Sequence, residues 1–103
     1  MVTVDKTYKS TCEVIFQLPE GIEAEEASVV GDFNDWDATE NPLRKHRKTK
    51  RLQARVKKLA LGEEYQFRYL VNGTEWHNDP DVEQVANDQG SQNSLLVTPA
   101  AEE

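Results

Sequence analysis

The chain has 103 residues, a length that suits one domain with a single core and excludes a large enzyme with a separate substrate domain. Its net charge of −7 argues against general attraction to nucleic acid or to an anionic membrane. No apolar run approaches the roughly 20 residues that a membrane-spanning helix needs, and residues 1–10 lack the apolar centre of a signal peptide. A cytoplasmic protein that binds neither nucleic acid nor membrane is therefore expected.

Segments with the alternation of apolar and polar residues typical of strands follow one another along the chain. They are CEVIFQL (12–18), ASVVGD (27–32), RLQARVKKLAL (51–61), EYQFRYLV (64–71) and NSLLVT (93–98). Between the last two, the Asn72-Gly73 pair is the strongest short signal for a hairpin, and it predicts a further short strand at Trp76. A long polar loop is expected over residues 77–92.

Evidence for helices is weak. Residues 50–60 have an amphipathic period but no N-cap box, and residues 23–27 are too few to form a stable helix alone. Several short strands joined by turns predict an all-β antiparallel sandwich. The aromatic residues at strand spacing are expected in its core or at its sheet edges, and Phe33 is expected to anchor a turn. These strand residues are Phe16, Tyr65, Phe67 and Tyr69.

The sequence gives little support for a metal, cofactor or catalytic site. Cys12 is the only cysteine, so no internal disulfide is possible, and with only two histidines to join it neither a zinc site nor any cofactor is predicted. The acidic turn DFNDWD (32–37) superficially resembles an EF-hand loop, but Trp36 occupies its fifth position and Leu43 its twelfth. A glycosidase needs two carboxylates flanking a cleft, whereas loop acids usually form turns, so no catalytic residue is predicted.

One basic run stands out in this acidic chain. RKHRKTKR (44–51) holds six of the twelve Lys and Arg residues. A charge run of this kind usually lies at a solvated surface, and here it is expected at the tip of a hairpin.

Four motifs occur in order: VVGDFNDWD (29–37), a turn at Gly62, EYQFRYLVNGTEWHNDP (64–80) and GSQNSLLV (90–97). Together they resemble carbohydrate-binding module family 48, the early-set domains that include the glycogen-binding domain of the AMP-activated protein kinase β subunit, and especially its small free-standing bacterial members. The resemblance implies an immunoglobulin-like antiparallel β-sandwich of the early-set type. Its expected bounds are 11–98, with a flexible N-terminal segment over 1–10 and a disordered tail over 99–103.

The resemblance also implies a function. Domains of this family bind α-1,4-linked glucan, such as glycogen, starch or malto-oligosaccharides, and have no catalysis of their own. Trp36 and Trp76 match the family's two aromatic platforms for sugar rings. Arg68 matches a lysine of the family on the central strand, on the face opposite Phe67 and Tyr69. A glycogen-metabolising enzyme or a regulatory protein is the class of protein partner implied.

The GSQNS segment (90–94) matches the family's Gly-Thr-x-Asn loop. By this match Ser91 supplies a hydroxyl and Asn93 an amide to the sugar. Gln89 stands where the family has an apolar residue that contacts the centre of a ring-shaped sugar. This departure removes an apolar contact and alters the ligand preference that the resemblance implies.

Each of these residues also has a purely structural interpretation. Trp36 would cover the end of the sandwich with its indole N–H on a turn carbonyl. Arg68 would pair with a neighbouring carboxylate, and Ser91 and Asn93 would only form the turn before the last strand. The alternative function is an immunoglobulin-like protein-interaction or regulatory domain that has lost or never had sugar binding, and whose basic run docks an acidic partner or RNA.

Overall fold

A computed structural model of the protein describes residues 1–87 and 90–101. The described residues form two sheets that pack around one core. Their strands are β1 (Val2–Thr7), β2 (Thr11–Gln17), β3 (Ala27–Gly31), β4 (Arg44–Lys45), β5 (Leu52–Ala60), β6 (Glu64–Val71), β7 (Glu75–His77), β8 (Gln84–Ala86) and β9 (Gln92–Val97). A one-turn 3-10 helix, Asp32–Asn34, follows β3. Within this described part, no helix has the length and apolar character to cross a membrane.

One sheet has the strand order β1-β2-β5-β4 and the other the order β3-β6-β9-β8, and paired strands run antiparallel. Strand β6 is central to the second sheet. On one side it pairs with β3. On the other it pairs with β9 through residues 64–67 and with β7 through residues 69–71. This architecture confirms the predicted all-β, immunoglobulin-like antiparallel β-sandwich.

The core is formed by side chains that alternate inward from both sheets. Phe16 of β2 and Phe67 of β6 are fully buried, and their ring centroids lie 5.0 Å apart in an edge-to-face contact. Phe33 packs on Phe16 with a centroid distance of 5.2 Å, so the turn after β3 is anchored to the core as predicted. Tyr69 is buried and Tyr65 half-buried, in agreement with the predicted alternation.

A buried polar cluster joins the segment after β7 to the core. Asp79 is fully buried, and its Oδ2 accepts a hydrogen bond of 2.8 Å from the Tyr69 hydroxyl. The same oxygen lies 2.7 Å from the α-amino group of Met1, while the Asp79 amide donates to Ser94 Oγ at 2.8 Å. Burial, with the Asp79 charge as the second cause, raises the pKa of Tyr69 far above its ordinary value, so its hydroxyl stays protonated and donates.

Strand β1 differs from the expectation of a flexible segment over residues 1–10. It pairs with β2 along its length, with an irregularity between Val4 and Lys6. Most of its side chains are exposed, so it has no apolar face to mark it in the sequence. The ladder to β2 holds it, together with one ion pair to β5, in which Arg55 Nη1 lies 2.6 Å from Asp5 Oδ2. The same Arg55 atom lies 3.1 Å from Glu13 Oε1 of β2.

Strand β8 lies inside the segment predicted as a polar loop over residues 77–92. It has three residues, and it forms the edge of its sheet by pairing with β9. Three residues are too few for an alternation pattern to be recognised. Near the C-terminus, the first residue of the expected tail (99–103) still contacts the sandwich. The Pro99 carbonyl accepts a hydrogen bond from the Gly62 amide at 2.7 Å. Residues 102–103 of that tail lie outside the described part.

The basic run forms the tip of the β4–β5 hairpin, as predicted. The His46 amide donates to the Arg51 carbonyl at 2.8 Å and closes the turn. The Nδ1 atom of His46 accepts from the amides of Lys48 and Thr49 at 3.1 and 3.3 Å. The Thr49 hydroxyl also accepts from the Arg51 amide at 3.3 Å, so two side chains and the backbone itself hold the turn.

Candidate functional site

The turn that carries Trp36 begins at Gly31, where β3 ends against β6. A Cβ atom on Gly31 would lie 2.5 Å from the Gln66 carbonyl oxygen and 2.8 Å from Phe67 Cβ, closer than packed atoms approach. Its φ of −170° is extended backbone that any residue adopts, so the requirement for glycine is one of space. Gly31 thus allows the turn to start directly against the central strand.

Asn34 sets the shape of this turn. Its Oδ1 accepts from the Gly31 amide at 3.0 Å, and its Nδ2 donates to the Val29 carbonyl at 3.1 Å and to Asn41 Oδ1 at 2.8 Å. Trp36 follows with φ of 58°, in the left-handed region that bulky residues rarely adopt. Its amide donates to the Gly31 carbonyl at 2.9 Å. Backbone strain of this kind is concentrated at functional sites, where the surrounding structure enforces it.

Asp32 links the Trp36 ring to the central strand. Its Oδ1 accepts the indole N–H of Trp36 at 2.9 Å, and its Oδ2 accepts the backbone N–H of Gln66 at 2.8 Å. The indole partner is therefore a carboxylate, where the structural interpretation of Trp36 expected a turn carbonyl. Trp36 remains 38% exposed beside β6.

A second carboxylate of the turn, Asp37, is tied to Thr39. Its Oδ1 accepts from the Thr39 hydroxyl at 2.7 Å and from the Thr39 amide at 2.9 Å. These bonds, the hydroxyl first, lower the pKa of Asp37 because they favour its charged form. This pair closes the far end of the turn.

Arg68 of β6 is the centre of a polar network on the outer face of the second sheet. Its Nε donates to Asn93 Oδ1 at 2.7 Å, and its Nη2 donates to Ser91 Oγ at 2.6 Å. Asn93 Nδ2 in turn donates to Gln66 Oε1 at 2.9 Å. No carboxylate among the described residues pairs with Arg68, so the carboxylate partner of its structural interpretation is not observed there.

Asn87 closes the connection between β8 and β9. Its side chain donates to Ser91 Oγ at 2.8 Å, and its amide donates to the Ser91 carbonyl at 2.9 Å. Ser91 therefore shapes the chain before β9, Asn93 lies within β9, and both accept a hydrogen bond from Arg68. Asn93 is only 7% exposed, so most of its amide is committed to neighbours inside the protein.

Trp76 is placed by backbone pairing. It lies opposite Leu70 on the short strand β7, and it is 48% exposed. Within residues 1–87 and 90–101, no hydrogen-bond acceptor meets its indole N–H. The ring is thus located by its strand but not oriented by a polar contact there.

These elements surround a surface concavity of about 510 Å³. Four predicted site residues line it, namely Trp36, Arg68, Trp76 and Asn93. Ser91 adjoins it through Arg68. Gln89 lies outside the described residues, so its predicted role stays a prediction.

Three lining residues were not among the predicted ones: Asp32, Gln66 and Asn87. Gln66 lies two positions before Arg68, and period-2 alternation places both on one face, so the sequence contained its signal. Asp32 is recognisable only as a turn residue, and Asn87 lies in a stretch without pattern. Among the described lining residues Asp32 is the one carboxylate, whereas a glycosidase uses two.

One comparison with known families matches this chain. A family model described as the glycogen recognition site of AMP-activated protein kinase matches residues 13–102. The matched range runs from within β2 to beyond β9, and it includes each residue that lines the concavity.

Proposed function

The chain belongs to the family of the glycogen recognition site of AMP-activated protein kinase, and we propose from this premise that it binds α-1,4-linked glucan chains at the concavity on β6 and β9. The ligand class is glycogen, starch and malto-oligosaccharides, and the domain binds it without catalysing a reaction. The observation that carries the proposal is the pairing of two exposed tryptophan rings beside a fixed polar network in one concavity.

The chemistry of the ligand fits such a surface. Each glucose unit has apolar C–H faces and a rim of hydroxyl groups and carries no charge. Flat aromatic rings cover the faces, and a few fixed donors and acceptors meet the hydroxyls. In this proposal Trp36 and Trp76 are the platforms.

Arg68 is the main hydrogen-bond donor of the proposed site. A guanidinium has five N–H groups; Asn93 and Ser91 engage two of them, and the rest have no partner among the described residues. The planar group is therefore oriented before the sugar arrives, which reduces the entropy lost on binding. Among the described residues the Ser91 hydroxyl accepts from Arg68 and Asn87 and donates to none, so in this proposal it donates to the sugar. The nearly buried Asn93 acts by holding Arg68.

Titration of tryptophan fluorescence with maltoheptaose and β-cyclodextrin tests the proposal. We expect an emission change that saturates at millimolar sugar or below, and retention of the protein on a glycogen column. Trp36→Ala and Trp76→Ala should each lose most of that retention. An unchanged wild-type spectrum at millimolar sugar contradicts glucan binding, and equal retention of Trp36→Ala contradicts its role as a platform.

A second candidate function is protein interaction through the basic hairpin tip, 44–51. Arg51 pairs with Glu20 at 3.2 Å. The other five cations of the tip pair with no carboxylate of the described residues, namely Arg44, Lys45, Arg47, Lys48 and Lys50. An acidic surface of a glycogen-metabolising enzyme or regulatory protein fits this charge. Such binding weakens with salt and with Lys/Arg→Glu changes at the tip, whereas glucan binding does not.

A further inference from the structure

We propose that Asp32 is a positioning residue that fixes Trp36, so that the concavity has one oriented aromatic platform and one adjustable platform, Trp76. This inference rests on the proposed function, because it concerns how the same site receives a glucan. It adds a residue to the site that touches the ring and not the sugar, and it assigns different roles to the two tryptophans.

Trp36 is held by one hydrogen bond at its backbone and one at its indole ring. Its backbone amide bonds to the Gly31 carbonyl at 2.9 Å, and its indole N–H bonds to Asp32 Oδ1 at 2.9 Å. A charge-assisted bond to a carboxylate is stronger than one between neutral groups. With the indole N–H engaged, Trp36 presents its face to a ligand and has no donor left.

Asp32 is itself tied to the central strand. The β3–β6 pairing ends where Gly31 lies opposite Phe67, and Asp32 Oδ2 accepts the N–H of Gln66 just beyond that point. Each carboxylate oxygen thus serves a different donor. An asparagine has one acceptor oxygen and directs its NH₂ group at the second donor, and a shorter hydroxyl residue has one oxygen for both. A carboxylate therefore gives each donor an oxygen of its own, which neither of those side chains does.

Trp76 has the opposite arrangement. Its backbone is fixed by pairing with Leu70, but its indole N–H meets no acceptor among the described residues. Trp76 is also more exposed, at 48%, than Trp36, at 38%. Trp76 can therefore change rotamer to follow the curvature of the glucan and can donate its N–H to a sugar hydroxyl.

The experiment compares Asp32→Ala, Asp32→Asn, Trp36→Ala and the control Asp35→Asn. Asp35 lies in the same turn with φ of 55°, a conformation that asparagine also tolerates, so the control removes the same charge and keeps the indole bond. Binding of maltoheptaose is measured by calorimetry below the unfolding transition of every variant. The indole N–H resonances of the two tryptophans are followed by ¹H–¹⁵N correlation spectra.

We expect Asp32→Ala to shift the Trp36 indole resonance, leave that of Trp76 in place, and weaken binding about two- to tenfold, the cost of ordering one side chain on binding. Asp32→Asn should fall between Asp32→Ala and wild type, and Asp35→Asn should bind like wild type. Affinity measured on folded protein separates positioning from stability, because a merely structural Asp32 lowers the unfolding temperature without changing the affinity.

The two levels of the proposal fail differently. If Trp36→Ala binds maltoheptaose as wild type does, the glucan site itself is misplaced. If Trp36→Ala loses binding and Asp32→Ala keeps full affinity, the site stands and the positioning role of Asp32 is wrong. An indole resonance of Trp36 that is unchanged in Asp32→Ala also overturns the positioning role.

Discussion

Trp36 and Trp76 line the same concavity, but different forces place them. Trp36 lies in a turn that depends on side chains: Asn34 bonds the backbone of Val29 and Gly31 at the end of β3, and Asp32 accepts the indole N–H. Its backbone is strained, with φ of 58°. This turn fixes both the position and the orientation of its ring.

Trp76 depends on backbone pairing. Asn72 and Gly73 have φ of 51° and 75°, both in the left-handed region that Asn and Gly tolerate, and the pairing of Val71 with Glu75 leaves residues 72–74 as the loop. Asn72 Oδ1 also accepts from the amides of Glu25 and Glu26 at 3.0 and 3.2 Å, which joins the hairpin to the segment before β3. This region fixes the strand and leaves the ring orientation open. A sheet can thus present two identical side chains with unequal freedom.

The largest expected effect is on stability, and it comes from replacing the glycine in each of the two turns with alanine. Gly31→Ala drives a Cβ into β6, whereas Gly73→Ala meets no atom within 4 Å and only strains φ. We expect losses in unfolding free energy of about 3 kcal/mol for Gly31→Ala from overpacking and about 1–2 kcal/mol for Gly73→Ala. Urea unfolding monitored by circular dichroism measures both. Equal losses would mean that β3 moves away from β6 at little cost.

The next effect concerns the anchor after Trp76. Tyr69→Phe removes a donor from the fully buried Asp79, three residues beyond Trp76. Asp79 Oδ2 keeps the Met1 α-amino group as a donor, so the variant loses one hydrogen bond to a buried charged group, which costs about 2 kcal/mol. Tyr65→Phe is the matched control, because the Tyr65 hydroxyl accepts from the exposed Ala60 amide at 3.0 Å, which water can replace. Thermal unfolding should show a clearly larger loss for Tyr69→Phe, and the reverse order would contradict the buried anchor.

A smaller effect tests the turn that carries Trp36. Asn34→Ala removes three hydrogen bonds at a half-exposed position, and a loss of about 1 kcal/mol is expected, as for a capping residue. Tryptophan fluorescence gives the more specific result. In a Trp76→Phe background only Trp36 emits, and Asn34→Ala should change its emission. In a Trp36→Phe background only Trp76 emits, and Asn34→Ala should leave its emission unchanged. Changes in both backgrounds would show that the two regions are coupled.

The same contrast explains what the sequence could predict. The alternation over 64–71 and the Asn72-Gly73 pair are local signals, and they correctly predicted β6, its hairpin and the short strand at Trp76. The role of Asp32 depends on Gln66, 34 positions away, and no local pattern encodes a bond of that span. Strand β1 escaped prediction for a related reason, because ladder bonds and one ion pair, between Asp5 and Arg55, hold it in place of an apolar face.

The smallest expected effect is the pH dependence of the turn that carries Trp36. Hydrogen bonds from Thr39 lower the pKa of Asp37, so folding releases a proton from this carboxyl. Its contribution to stability is present above the ordinary Asp pKa of about 4 and is lost as pH falls through the lower folded value.

Thr39→Val removes the hydroxyl bond and keeps the amide bond. Between pH 5 and pH 2.5, about the range that spans both values, the stability of Thr39→Val should fall less steeply than that of wild type. Thr74→Val, in the turn before Trp76, is the matched control and should keep the wild-type slope. Parallel slopes for all three proteins would mean that the Thr39 hydroxyl leaves the Asp37 carboxylate unbound in solution, and that the turn needs only its backbone bonds and Asn34 to hold Trp36.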